Sequence, residues 1–378
     1  VKDAERVLSR LRSWGVQPDV FSYSSVVHAI SQSAKHDSSA PRRAEALLHQ
    51  LEHQPHRQQP HLAPIRPNTI TYTSVIDAHA QRGDGLGAEA IFTRMERAYA
   101  DGNPEARPNV QSWNTVIKAW ARQRSPEGVA RAHAILRRME QLSRKHGSTR
   151  MREACTPNVV SYTTVINAYA VQADGAAAQA VFDSMLNNNS TRARPNKFSY
   201  TSLIHAWLKT RSPHGISNAV KTLIQMEERY RKGDYKAKPN IINFLTVIDA
   251  VAKNRGDALQ AHGLLNRLER LYLDYSENMD FRPNLVCYSS VINAYSKSYL
   301  PNKAERALAV LHQMKTVHLK PNVYVYSSVI NACAHTTTAV KLVNDDTKKT
   351  AMDIADNMLL EIVQASADVE QDDQLLQS

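Results

Sequence analysis

The chain has 378 residues, 42% of them hydrophobic, and a formal net charge of +11 with 15 His besides. That leaves room for two ordinary domains or one repeat array, with a buried core and a positive surplus suited to an anionic partner. Three Cys (Cys155, Cys287, Cys333) without paired spacing argue against a disulfide framework or a zinc site, and no apolar run reaches the length of a bilayer span.

The chain opens on Val1-Lys2-Asp3 in mid-helix pattern, as expected of a trimmed product whose targeting signal lay upstream. Its first signature is Ala4-Val7-Leu8-Leu11, an alanine with apolar residues three, four and seven later. That spacing predicts an amphipathic helix with a small residue where helices touch. The pattern recurs from Ala44, Ala88, Ala132, Ala178, Ala219, Ala261 and Ala307, and in worn form as Ala351-Ile354-Ala355-Met358.

Between these lies a second signature. It begins at Pro18, Pro67, Pro108, Pro157, Pro195, Pro239, Pro283 and Pro321. A Pro-Asn or Pro-Asp pair leads into an aromatic followed by Val-Ile-x-Ala, as in Tyr162, Val165, Ile166 and Ala168. Proline is acceptable at a helix entrance, and the spacing puts these residues on one helical face.

The two signatures alternate in whole repeats at 20–68, 69–109, 110–158, 159–196, 197–240, 241–284 and 285–322. A partial unit occupies 1–19, a looser one 323–367, and an acidic, flexible tail 368–378. Length varies in polar turns such as Gln32 to Ser39 and after second helices, as from Arg144 to Arg150. Such insertions cost little loop entropy. A two-helix unit cannot bury its apolar face alone, so the expected fold is all-α, one α-solenoid of stacked helix-turn-helix repeats. The aromatic stripe Tyr72, Trp113, Tyr162, Tyr200, Phe244, Tyr288 and Tyr326 is expected to pack inside it.

The pattern Pro-Asn-x-x-x-Tyr-x-x-Val-Ile-x-Ala followed by Ala-x-x-Leu-Phe-x-x-Met resembles the pentatricopeptide repeat family. It is clearest at 157–168 with 178–185 and at 67–78 with 88–95. The repeats here are longer than the family's unit of about 35 residues. The resemblance implies a right-handed superhelix whose first helices line a concave face holding single-stranded RNA, one base per repeat.

In the family, the residue after the aromatic and the last residue of the repeat read the base edge. Carried over, the pairs are Ser24 with Asn68, Thr73 with Asn109, Asn114 with Asn158, Thr163 with Asn196, Thr201 with Asn240, Leu245 with Asn284, and Ser289 with Asn322; Ser327 has no clear mate. The resemblance implies the order A-A-Y-A-A-x-A, Y being a pyrimidine and the silent position falling at Leu245. An amide or hydroxyl suits this work, but Asn is also a good helix cap, and capping alone accounts for the asparagines. The second residue of each repeat, Phe21, Ile70, Gln111, Val160, Phe198, Ile242, Val286 and Tyr324, would stack on bases; the alternative is helix-start packing.

A basic residue precedes the Pro of many units: Arg66, Arg107, Arg194, Lys238, Arg282 and Lys320. Lys118, Lys209 and Lys297 lie on or just after first helices. Together they make a stripe suited to phosphates, or simply a solvated surface. No catalytic constellation, phosphate loop or metal-ligand spacing is present, so neither cofactor nor small-molecule substrate is expected. The leading expectation is an organellar RNA-binding protein, mitochondrial before plastid, acting in transcript stabilisation, processing or translation without catalysis. The alternatives are an rRNA-binding subunit of an organellar ribosome, seated among ribosomal proteins, and a protein adaptor.

Overall fold

The computed structural model describes residues 2–14, 16, 18–53, 65–145, 153–188, 190–254, 257–275, 279–337 and 345–376. All regular structure among them is helical, arranged as helix-turn-helix repeats. The helices fall into two compact units, Val1–Thr210 and Arg211–Ser378.

The first unit holds α1 (Lys2–Ser13), α2 (Val20–Ser33), α3 (Ala40–Glu52), α4 (Thr69–Arg82), α5 (Gly85–Ala100), α6 (Val110–Arg122), α7 (Pro126–Lys145), α8 (Val159–Val171), α9 (Gly175–Leu186) and α10 (Lys197–Lys209). Its first helices begin at Val20, Thr69, Val110, Val159 and Lys197, one residue after each Pro-Asn or Pro-Asp pair. The reason is local. The Asn or Asp stays extended while its side-chain oxygen accepts from the backbone N–H three residues on, as Asn109 does from Ser112 at 2.9 Å. One orphan donor of the helix start is thereby satisfied.

Consecutive first helices α2, α4, α6, α8 and α10 pack side by side, and each second helix lies on the first helices flanking it. The shared core is the predicted one: Tyr72, Val75, Ile76 and Ala78 of α4 are buried against Ala88, Ile91, Phe92 and Met95 of α5 and their successors. Phe92 meets Trp113 at 4.5 Å between ring centres, and Phe182 meets Tyr200 at 5.0 Å. Each such side chain contributes roughly 1.5–3 kcal/mol by leaving water. Glycine opens two second helices for a steric reason. A Cβ at Gly85 or Gly175 would sit 2.3 or 2.4 Å from the ring of Trp120 or Trp207.

The second unit holds α11 (Pro213–Arg231), α12 (Ile241–Lys253), α13 (Ala258–Asp274), α14 (Leu285–Lys297), α15 (Lys303–Thr316), α16 (Val323–Thr337) and α17 (Asp345–Leu376). Here α12, α14 and α16 form the row of first helices. Residues 368–376, expected as a tail, are helical backbone continuous with α17. Neither Gly nor Pro interrupts the chain from Asp345 to Leu376, so nothing stops the helix. The insertion after α7 is helical as far as Lys145; the rest of it lies outside the described residues.

Second helices approach each other less closely and are joined by long polar side chains. The residue after the closing Met or Leu of one second helix pairs with the residue before it in the next. Arg94 pairs with Glu52, and Arg138 with Glu96 at 2.9 Å. Ser184 donates to Glu140 at 2.8 Å, and in the second unit Arg267 pairs with Glu227 at 2.7 Å. The buried tyrosines join in: Tyr72, Tyr162 and Tyr288 donate to Glu52, Glu140 and Glu269. Burial and these carboxylates push their phenols up, so they stay protonated donors.

A further pairing links the residue after the motif alanine to the eleventh residue of the next first helix. Glu89 accepts from Trp120 at 2.9 Å, and Gln179 from Trp207 at 3.1 Å. His133 bonds Tyr169 at 2.7 Å, and His262 bonds Tyr295 at 2.8 Å. Burial lowers both imidazoles from their ordinary 6.5; Arg137 adds to this at His133, while Gln313 and Glu269 oppose it at His262. A histidine depressed in the folded state binds its proton more readily when unfolded. Stability is therefore full above pH 6.5 and falls as pH drops below it, by up to about 1.4 kcal/mol per pH unit per group. We expect the melting temperature to fall between pH 7 and 5, and less steeply in His133→Gln/His262→Gln; equal slopes would assign the acid loss to other groups.

Candidate nucleic-acid interface

The seven asparagines expected to read bases are all helix caps. The Oδ1 atoms of Asn68, Asn109, Asn158, Asn196, Asn240, Asn284 and Asn322 accept from backbone N–H groups at 2.9, 2.9, 3.1, 3.2, 2.9, 3.1 and 3.0 Å. Capping and reading are not exclusive. With Oδ1 turned into the helix, each Nδ2 faces away, and an amide nitrogen can only donate. Each repeat therefore ends in a fixed donor.

The residue after the aromatic lies beside this donor. In the first unit Ser24 Oγ is 3.5 Å from Asn68 Oδ1, and Asn114 Nδ2 donates to Asn158 Oδ1 at 3.2 Å. Thr163 Oγ1 reaches Ser199 Oγ at 2.9 Å, and that hydroxyl donates to Asn196 Oδ1 at 3.3 Å. Two other members are engaged locally. Thr201 Oγ1 donates to the Lys197 carbonyl at 2.7 Å and Ser289 Oγ to that of Val286 at 3.0 Å. Ser24, Thr73 and Ser289 are buried because neighbouring first helices close over short side chains. Asn114, Thr163, Thr201 and Leu245 are half-buried, and Ser327 is exposed.

The pattern reading passed over the third residue of the first helix. Thr71, Ser112, Ser161 and Ser199 are buried at the joint between repeats, and Thr71, Ser161 and Ser199 contact both the capping Asn and the fifth residue of the preceding repeat. The signal was visible as a hydroxyl residue preceding each aromatic, in Ser22-Tyr23, Thr71-Tyr72, Ser112-Trp113, Ser161-Tyr162 and Ser199-Tyr200. It reads locally as half of a capping box.

The second residues of the repeats stand in solvent. Phe21 is 78% exposed and Phe198 62%; Ile70, Val160, Ile242, Val286 and Tyr324 are exposed apolar residues as well, and Gln111 is also exposed. The core does not use them. They sit on the first turn of the helix, two residues past its cap, so within each unit an apolar face recurs beside the caps, Gln111 after Asn109 being the exception.

The basic stripe divides. Lys118 is held by Asp77 at 3.0 Å, and Lys238 by Asp280 at 2.6 Å. Burial pushes Asp77 up, but hydrogen bonds from Lys118, Gln81 and Ser31 outweigh it and hold the carboxyl below its usual range. Both lysines are thus engaged with carboxylates. Arg66 makes a long contact, 3.4 Å, to the Gly102 carbonyl. Arg194, Lys209, Arg282, Lys297 and Lys320 are exposed, and Arg107 is half-buried.

This arrangement offers hydrogen-bond donors, apolar platforms and cations in register, which is equipment for binding. Among the described residues no group of three or more His, Cys, Asp or Glu is placed to hold a metal ion, and no helix is long and apolar enough to cross a membrane.

Stacked two-helix repeats with capped first helices define a helical-repeat protein. Residues 157–209 and 283–335 match the PPR repeat family, and residues 62–123 match the pentatricopeptide repeat domain. These stretches of the chain are pentatricopeptide repeats. A chloroplastic pentatricopeptide repeat-containing protein of Arabidopsis thaliana is 24% identical over 238 residues, 63% of this chain and 26% of the relative. A second Arabidopsis thaliana member is 21% identical over 191 residues, 50% of this chain and 28% of that protein. The chain thus spans about a quarter of the length of these curated relatives. Among solved structures, PPR10 in complex with an 18-nt psaJ RNA element shares 20% identity, with 95% of this chain and 48% of that one covered and a TM-score of 0.42. PPR10 from maize, 18% identical over 95% of this chain and 56% of that one, gives 0.27.

Proposed function

We propose that the chain binds single-stranded RNA along its rows of first helices and acts on organellar transcripts by masking or holding them, without chemistry of its own. The observation that carries this is the recurrence, in every repeat but the one with Gln111, of an exposed apolar residue near a cap, where each asparagine commits its Oδ1 to the helix and so keeps its amide nitrogen as a donor. Unstacked bases offer a face to the first and a Watson–Crick edge to the second.

Selection from a randomised single-stranded RNA pool at moderate and high salt tests the proposal. Enrichment of A-A-Y-A, the order expected of Ser24/Asn68, Thr73/Asn109, Asn114/Asn158 and Thr163/Asn196, supports it. Asn158→Asp then separates reading from capping. Asp caps α2 at position 19, accepting from Ser22 at 2.8 Å, so the cap survives while the outward donors are lost. Preference should change at that one base with thermal stability unaltered. Motif-free binding that falls steeply with salt would point to phosphate contacts alone, as in a subunit of a larger ribonucleoprotein.

A further inference from the structure

Four hydrogen bonds at the joint between repeats 110–158 and 159–196 tie Asn114, Asn158 and Ser161 into a directional ring. Ser161 N–H donates to Asn158 Oδ1 at 3.1 Å, and Asn158 N–H donates to Ser161 Oγ at 3.1 Å. Ser161 Oγ donates to Asn114 Oδ1 at 2.6 Å, and Asn114 Nδ2 donates to Asn158 Oδ1 at 3.2 Å. Ser161 Oγ is also 3.1 Å from Asn158 Oδ1, a longer contact for its one proton.

The directions follow from one another. A backbone N–H only donates, so Asn158 turns Oδ1 toward it and Nδ2 away. Asn114 must then face that oxygen with Nδ2, because its own oxygen there would meet another acceptor. Its Oδ1 is left toward Ser161, whose hydroxyl supplies the proton. Ser161 is fully buried and out of reach of a base.

We propose that Ser161 is a positioning residue for base choice: by holding Asn114 Oδ1 it makes the repeat present donors alone. One hydrogen on Asn114 Nδ2 and two on Asn158 Nδ2 remain. The edge that answers two donors carries two neighbouring acceptors. Cytosine presents N3 and O2 side by side, whereas uracil places its N3–H donor between two carbonyls, and adenine sets the N6 donor beside N1. The repeat therefore prefers cytosine among pyrimidines. This rests on the RNA-binding reading above.

The equivalent residue acts differently in two neighbours. Thr71 Oγ1 donates to Asn68 Oδ1 at 2.9 Å, so it accepts from Ser24 Oγ at 2.7 Å. The Ser24 proton points inward, and an acceptor stands beside the Asn68 donor, the opposite polarity. Ser112 Oγ gives its proton to the Asn109 carbonyl at 2.7 Å and accepts from Asn109 N–H at 2.9 Å. No proton is left for Thr73, whose buried Oγ1 has no hydrogen-bond partner among the described residues.

The test measures binding of the whole chain to single-stranded RNA oligonucleotides carrying the selected motif, with C, U, A or G opposite repeat 110–158. The unaltered chain should prefer C over U by about tenfold, the worth of one hydrogen bond left unmade. In Ser161→Ala the ratio should fall to within about twofold, with neighbouring positions unaffected. Ser161→Thr, which carries the hydroxyl found at Thr71, should restore it. Ser161→Cys, the residue found at the equivalent Cys287, fills the site with a weak donor and should also lower the ratio; it replaces the alanine variant if that one does not fold. A ratio unchanged in the alanine or cysteine variant, or absent from the start, overturns the role of Ser161 while RNA binding stands. Failure of the unaltered chain to bind any oligonucleotide overturns the RNA reading and this inference with it.

Discussion

Replacing Phe21, Val160 and Phe198 together by Ala is expected to weaken single-stranded RNA binding by at least about 100-fold while leaving the melting temperature within a degree or two. Stacking on an aromatic or apolar platform contributes roughly 1–3 kcal/mol per base, and each tenfold in affinity is about 1.4 kcal/mol. All three side chains belong to the first unit and stand in solvent on the first turn of α2, α8 and α10. Removing them opens no cavity and breaks no hydrogen bond, so stability should not follow affinity. The measurement is a titration of a fluorescent RNA beside a thermal melt. Loss of affinity with an intact melt supports base stacking at these positions. Unchanged affinity would return them to the ordinary surface and leave any RNA contact to the phosphates.

The second large effect is on stability. Glu227 is 2% exposed in its side chain, yet holds Arg231 at 2.9 Å and Arg267 at 2.7 Å. The equivalent Glu52, Glu140 and Glu269 each accept from a tyrosine. The mate of Glu227 would be Phe244, which has no hydroxyl, and a second arginine takes the vacant acceptor. Glu227→Ala strands Arg267 beside a void between α11 and α13 and leaves Arg231 to Asp274 alone, at 2.6 Å. Breaking a buried pair from one side costs about 3–5 kcal/mol. We expect a matching loss in denaturant unfolding, with partial recovery on adding Arg267→Met, which removes one stranded charge. A loss below about 1 kcal/mol in the single variant would place the pair among exposed ion pairs of little weight.

Much of this architecture was legible in the chain because its determinants are local and repeated. A Pro-Asn pair before Tyr-x-x-Val-Ile-x-Ala names a cap and a buried face together, and the helices begin at Val20, Thr69, Val110, Val159, Lys197, Ile241, Leu285 and Val323, one residue after such pairs. The alanine-led second helices followed from the same periodicity. The aromatic stripe is buried, and the second residue of each repeat is not.

Other features needed the fold. The sequence showed Lys118 and Asp77 forty-one positions apart, and only packing of α4 on α6 joins them. The third-residue hydroxyl looked like a capping partner; the adjoining repeat puts the fifth residue against it as well. Which proton Ser161 gives to which oxygen depends on three groups from two repeats, and no linear pattern carries that. The alternation of helices, the caps and the core face were set by the sequence alone, since each arises within one turn of helix. The polarity of the candidate reading groups, the ladder between second helices and the division of the lysines into paired and exposed were decided by tertiary structure. Hydrogen bonds and ion pairs depend on ångström-scale distance and direction between residues that only the stacking of repeats brings together.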